Sequence, residues 1–192
     1  LILIPGFLGT KLRDPQTGRV LWGTMANILS HDHSARLACP LEEDSGAAEA
    51  RSLEPFALYD SLWGLDYYRK TLRIIREAGG YQLGDINHPK PSDNAFIFLY
   101  DWRKDIAESA AGLAAAVDHL KTTLGNTGLK FDILGHSQGG LIARYYAKYG
   151  GADVLTGEGP PIPDGAGAAN LNKVILLGTP NRGTLEALKI LH

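Results

Sequence analysis

Short apolar runs at residues 1–4, 95–100, 130–134 and 173–177 punctuate a chain of 192 residues. None alternates polar with apolar side chains, so each reads as a buried strand of a sheet covered on both faces, the habit of parallel strands. Helix-length stretches lie between them. Residues 65–78 set Tyr68, Leu72 and Ile75 at helical spacing and stop at Gly79 and Gly80. Residues 105–124 are alanine-rich, with Ile106, Leu113, Val117, Leu120 and Leu124 along one stripe. Residues 138–149 form a third helix, and another begins at Thr184. Strand and helix in alternation predict an α/β fold with a doubly wound, mostly parallel sheet. If the first run is flanked by the second and third, the strand order is second, first, third, fourth. The winding then reverses between the first and third strands, which is where ligands bind in such sheets.

Two segments break the alternation. Residues 11–60 contain a hairpin, KLRDPQTGRVLWG, turning at PQTG, followed by a polar, small-residue run at 41–52. This stretch reads as an insertion and a candidate lid. Residues 150–170 form a loop rich in glycine and proline. The chain is 44% hydrophobic, enough for one compact core, so a single domain is expected. Lys and Arg total 19 against 21 Asp and Glu without a dense basic run, which argues against nucleic acid as a partner. Cys39 is the sole cysteine, so neither an intrachain disulfide nor a thiolate metal cage can form within this sequence. No apolar run approaches the ~18 residues that signal a transmembrane segment. Because Leu1 opens directly on a core strand, the sequence is expected to continue upstream.

The third apolar run passes through GHSQGG straight into a helix. Gly135, Ser137 and Gly139 make a GxSxG between strand and helix, the context that gives this pattern its meaning. In such an elbow the serine is strained, and side chains two residues either way would strike the turn. The strain projects a hydroxyl that is a poor nucleophile unless a base and an anion-stabilising site stand beside it. The helix N-terminus supplies half of that site, through the backbone N–H of Gln138. A second donor is expected from IPGFLG, residues 4–9, where proline and glycines free the backbone near Phe7 to approach the serine. The ring of Phe7 has its own reading as a core aromatic, compatible because only its N–H is needed. The competing reading of the whole turn is an ordinary capping serine on a glycine-rich connection.

In this order LILIPGFLGTKL, LYDWR at 99–103, GHSQGG at 135–140 and LLGTPNRGT at 176–184 resemble the lecithin:cholesterol acyltransferase family of α/β-hydrolases. That family includes lysosomal-type phospholipases and bacterial relatives. The resemblance implies an α/β-hydrolase fold and a serine esterase mechanism, in which Ser137 takes an acyl group from a lipid ester and passes it to an alcohol or water. It implies Phe7 and Gln138 as oxyanion donors, and an insertion over the site that engages a lipid or membrane surface. Leu8, Asp101, Trp102, His136 and Thr179 are the expected pocket lining, although Asp101 and Arg103 also read as a structural ion pair. No metal and no organic cofactor are required. The family places its acid and then its histidine after later strands. Asp153, Glu158, Asp164 and Glu186 do not occupy such a place, and His192 follows the fourth run by one helical stretch. Residues 1–192 are therefore expected to be the amino-terminal part of one hydrolase domain, with nucleophile and oxyanion hole but without acid and base. A carboxylesterase or triacylglycerol lipase, and a non-catalytic scaffold, are the alternatives.

The remaining candidates are weaker. His31 and His33 flank Asp32 on an extended stretch without an evident third metal ligand. Trp22, Phe56 and Trp63 offer an apolar face for lipid, but packing within the insertion explains them more simply.

Overall fold

The computed structural model describes residues 1–24, 37, 52–59, 68–154, 156 and 161–184. Four parallel strands form the central sheet: β1 (Ile2–Ile4), β5 (Phe96–Ile97), β6 (Phe131–His136) and β7 (Leu171–Leu177), in the order β5-β1-β6-β7. This is the order expected from the sequence. Along the chain, β1 connects to β5 on one side, and the path then crosses back over β1 to β6, so the winding reverses between β1 and β6. Ile4 is in register with Gly135, and His136 with Leu177. The loops after β1, β6 and β7 therefore leave one edge of the sheet together.

Helix α1 spans Arg69–Glu77, α2 Ile106–Thr123 and α3 Gln138–Tyr149. Asp105 caps α2 by accepting the N–H of Ala107. The stripe foreseen on α2 is the buried one, since Leu113, Val117 and Leu120 are fully enclosed. They join Ile2, Ile4, Phe96, Ile133, Ile142 and Tyr146 in the main core, where α2 and α3 pack on the sheet. For right-handed crossovers, the rule for βαβ units, the β1 to β5 connection that carries α1 falls on the opposite face.

The hairpin forms as β2 (Thr10–Arg13) and β3 (Val20–Trp22), closed by Gly18 N–H to Asp14 O at 2.9 Å with Gly18 at φ +69°. An unforeseen strand, β4 (Glu54–Leu58), pairs antiparallel with the other edge of β2, giving a small sheet in the order β3-β2-β4. The described ends of the 11–60 insertion are thus a folded sheet. Most of its polar run lies outside the described residues, as do His31, His33, Cys39, Trp63, Glu158, Glu186 and His192.

One expectation needs correction. The fourth apolar run was expected to be buried, yet in β7 Val174, Ile175 and Leu177 are 36%, 45% and 41% exposed. β7 is one of the sheet's two end strands and, among the described residues, pairs only with β6; β5, the other end strand, buries Phe96. Full burial on both faces holds for β1, whereas β6 alternates buried with half-buried residues.

Candidate active site

Ser137 stands alone between the end of β6 and the start of α3, at φ +51° and ψ −120°. An ordinary N-cap serine has extended backbone and accepts a hydrogen bond from the helix's first turn. Ser137 does neither: its φ is positive and its side chain makes no capping bond. The strained backbone is held from both sides. Its N–H donates to Leu177 O at 2.8 Å, and its carbonyl accepts the N–H of Gly140 at 3.0 Å.

The glycines are steric requirements of this corner. A Cβ at Gly135 would lie 2.7 Å from the Cα of Gly140, and one at Gly139 would overlap the carbonyl oxygens of Ile4 and Pro5. Gly140 carries the same constraint, because a Cβ there would run into the side chain of Thr179. Thr179 therefore seats the start of α3, and its buried Oγ1 has no hydrogen-bond partner among the described residues.

The loop after β1 comes up against the serine. Gly9 N–H closes a turn onto Gly6 O at 2.9 Å, with Leu8 at φ +63°. A Cβ at Gly6 would lie 2.9 Å from the Cβ of Ser137 and 3.0 Å from Nδ1 of His136. Backbone alone fits there, immediately before Phe7. Among the described residues the backbone N–H groups of Phe7 and Gln138 have no protein acceptor. That of Gln138 lies at the α3 N-terminus, where the helix carries partial positive charge.

Two tyrosines missed at the level of sequence hold these pieces. The Tyr68 hydroxyl accepts the N–H of Gly6 at 2.7 Å and lies 2.8 Å from Nδ1 of His136. The direction of the bond between the Tyr68 hydroxyl and Nδ1 follows the imidazole tautomer, since the phenol oxygen can accept twice. Burial pushes the His136 pKa below its ordinary value, so the ring favours the neutral form. The Tyr100 hydroxyl donates to Pro5 O at 2.9 Å and reaches Gln138 Oε1 at 3.2 Å, while Gln138 Nε2 donates to Trp102 O at 3.3 Å. Burial, and secondarily the nearby Tyr68, push the Tyr100 phenol far above its ordinary value, so it remains a donor. Tyr68 entered the sequence reading only as a helix-face apolar position and Tyr100 only as part of YDWR. Their partners lie 62, 68 and 95 positions away.

Beside the elbow is a cavity of about 130 Å³ lined mainly by Phe7, Leu8, Trp22, Tyr59, Tyr68 and His136. Phe7 is 55% exposed and meets Trp102 edge-on at 5.0 Å, so its ring belongs to the site's surface and not to the core. Trp102 also meets Trp22 at 5.5 Å, and its indole N–H donates to Thr10 O. Of the expected lining, Leu8 and His136 border this cavity. Trp102 supports it through Phe7 and Trp22, Thr179 packs at Gly140, and Asp101 is committed elsewhere. The Asp101 carboxylate receives the Arg103 guanidinium at 2.8 and 2.5 Å, with both side chains almost fully buried. A larger cavity of about 880 Å³ runs between β4, α2 and the outer edge of β5, and no elbow residue lines it.

The other described histidines are engaged away from the serine: His88 with Asp85 at 3.0 Å, and His119 with Asn87 O at 3.1 Å. No group of three or more potential metal ligands occurs among the described residues, and no described helix is long and apolar enough to cross a membrane. A scan against protein-family models found no match for the chain, and neither did a search of the curated proteins.

Proposed function

We propose that this chain carries the nucleophile and oxyanion hole of a serine-dependent lipid acyltransferase or phospholipase organised as an α/β-hydrolase. The observation that carries the reading is Ser137 itself: a non-glycine residue at φ +51° between a parallel strand and a helix, with no capping bond from its side chain. Strain of about 1–3 kcal/mol persists only where surrounding structure imposes it, and such residues concentrate at functional sites. In the proposed reaction, Ser137 Oγ attacks the ester carbonyl and its proton passes to a general base. The N–H groups of Phe7 and Gln138 hold the negative charge that develops on the carbonyl oxygen. The alcohol portion departs with the proton, leaving an acyl-serine. A second alcohol, or water, then attacks the acyl group and restores Ser137. The described histidines, His88, His119 and His136, are engaged by Asp85, Asn87 and Tyr68, and none is bonded to Ser137. The reading therefore requires a histidine and a carboxylate from beyond the described residues.

The test is covalent. A fluorophosphonate probe incubated with the full-length protein should label a peptide containing Ser137, and Ser137→Ala should abolish the label. Phospholipid supplied with a long-chain alcohol should then yield a new ester in addition to free fatty acid. Absence of any adduct under conditions that label a control hydrolase would leave a non-catalytic scaffold as the surviving reading.

A further inference from the structure

The loop after β1 is gripped from outside by polar atoms of aromatic side chains. Tyr100 donates to Pro5 O, Tyr68 accepts from the Gly6 N–H, and the Trp102 indole donates to Thr10 O at 3.1 Å. A further grip comes from the insertion: Trp22, on β3, donates its indole N–H to Leu8 O at 3.1 Å. Leu8 is a non-glycine residue at φ +63°, a conformation that persists only where its surroundings impose it. The indole is itself firmly seated. Trp22 pairs with Leu12 of β2, and its ring meets Trp102 edge-on at 5.5 Å and Tyr59 at 6.1 Å.

The hydrogen bonds of this turn run in series. A peptide unit is planar and trans, so fixing its carbonyl oxygen also fixes the N–H that points the opposite way. Leu8 O and the Gly9 N–H belong to one such plane, and Trp22 holds its oxygen. The Gly9 N–H donates to Gly6 O at 2.9 Å, and Gly6 O shares a second plane with the Phe7 N–H. Two rigid planes therefore join the indole of Trp22 to the amide of Phe7. Glycine at position 9 lets the turn close this tightly, because a Cβ there would lie 2.8 Å from Gly6 O and 2.9 Å from the Cβ of Pro5.

We propose that Trp22 is a positioning residue for the Phe7 amide: from the inserted sheet, its indole N–H fixes the Leu8–Gly9 peptide and, through it, the direction of the Phe7 N–H. The insertion thereby takes part in holding transition-state charge, because an oxyanion donor is worth most when it needs no reorientation. This rests on the reading of Phe7 as an oxyanion donor. Two full-length variants test it: Trp22→Phe, and benzothienylalanine at position 22, which keeps the shape of the ring and has sulfur in place of the N–H. Saturation kinetics of Ser137 labelling by a fluorophosphonate would be measured in each. The maximal labelling rate should fall about tenfold in both, less than the ~10²–10³ lost when such a donor is removed outright. In the benzothienylalanine protein the half-saturating probe concentration should stay the same, because the donor acts on charge that appears only in the transition state. Hydrogen exchange at the Gly9 amide should quicken about fivefold, as one supporting hydrogen bond is lost, while amides within β6 and α3 keep their rates. An unchanged maximal rate, an unchanged Gly9 exchange, or faster exchange throughout β6 and α3 overturns the proposal. A change confined to half-saturation does so too, because it would make Trp22 a wall of the cavity and nothing more. No labelling of the natural protein, with faster Gly9 exchange in the variants, would remove the serine reading while upholding the tie from Trp22 to the Phe7 amide.

Discussion

The hydroxyl of Tyr68 lies 2.8 Å from Nδ1 of His136 while accepting the N–H of Gly6 at 2.7 Å. One oxygen thus ties the start of α1 to the loop after β1 and to the residue before Ser137.

Tyr68→Phe keeps the ring and removes that oxygen, leaving the buried Gly6 N–H without its acceptor. A loss of about 1–3 kcal/mol is expected, the cost of an unsatisfied buried polar group. Urea unfolding would read it as a lower midpoint, and Ser137 should label more slowly because the Phe7 amide loses its fixed direction. An unchanged midpoint together with an unchanged labelling rate would contradict the tie.

Burial holds the His136 imidazole below its ordinary value of 6.5. Above that value the ring is neutral in folded and unfolded chains alike. As pH falls through 6.5, the unfolded chain takes up a proton that the folded one resists, so this residue's contribution to stability declines towards the folded-state value. Urea midpoints measured at a series of pH values should show a shallower acid-side decline in His136→Asn than in the natural protein. Parallel curves would count against the assignment.

Ser137 at φ +51° occupies backbone space that glycine reaches freely. Ser137→Gly should therefore raise stability by about 1 kcal/mol, the low end of what such strain costs. Ser137→Ala keeps the strain and should melt near the natural protein. Both should lose probe labelling. Destabilisation of the glycine variant in calorimetry would mean that the elbow is not strained.

A methyl at 139 would meet the carbonyl oxygens of Ile4 and Pro5, backbone atoms that cannot rotate aside. Gly139→Ala should cost about 1–3 kcal/mol by overpacking. It should also slow labelling of Ser137 by pushing the loop after β1 away from α3. Full labelling in a folded Gly139→Ala protein would show that the two elements need not touch.

Asp101 and Arg103 pair with side chains only 2% and 4% exposed. Asp101→Asn removes the carboxylate charge that faces the buried Arg103 guanidinium, and a loss of about 3–5 kcal/mol is expected. Chemical unfolding checks it. A loss below about 1 kcal/mol would place the pair in the class of solvent-screened ion pairs.

The strands, their order, the spans of α2 and α3 and the glycine–serine corner were legible in the sequence because each depends on neighbours along the chain. Apolar runs mark strands, a 3.6-residue stripe marks the buried side of α2, and the crowding that requires glycine at 135 comes from Gly139 and Gly140 close by, whereas that at 139 comes from the distant Ile4 and Pro5. Long-range partners were not legible. Tyr68 and Tyr100 read as apolar bulk, and nothing near them in sequence announces Gly6, His136 or Pro5 as partners for their hydroxyls. β4 carries a proline at Pro55 and becomes a strand only because β2 offers it an edge. The run that became β7 matches the inner strands in composition, yet it is exposed where β5, the other end strand, buries Phe96, a difference in what packs against each strand and not in their residues. The sequence by itself determined the strands of the parallel sheet, the hairpin, the helices and where the chain must turn sharply, since short-range sterics and periodicity decide those. Which hydroxyl meets which amide, and which apolar strand meets water, was decided by the tertiary structure alone, because those contacts join residues that only the folded sheet brings together.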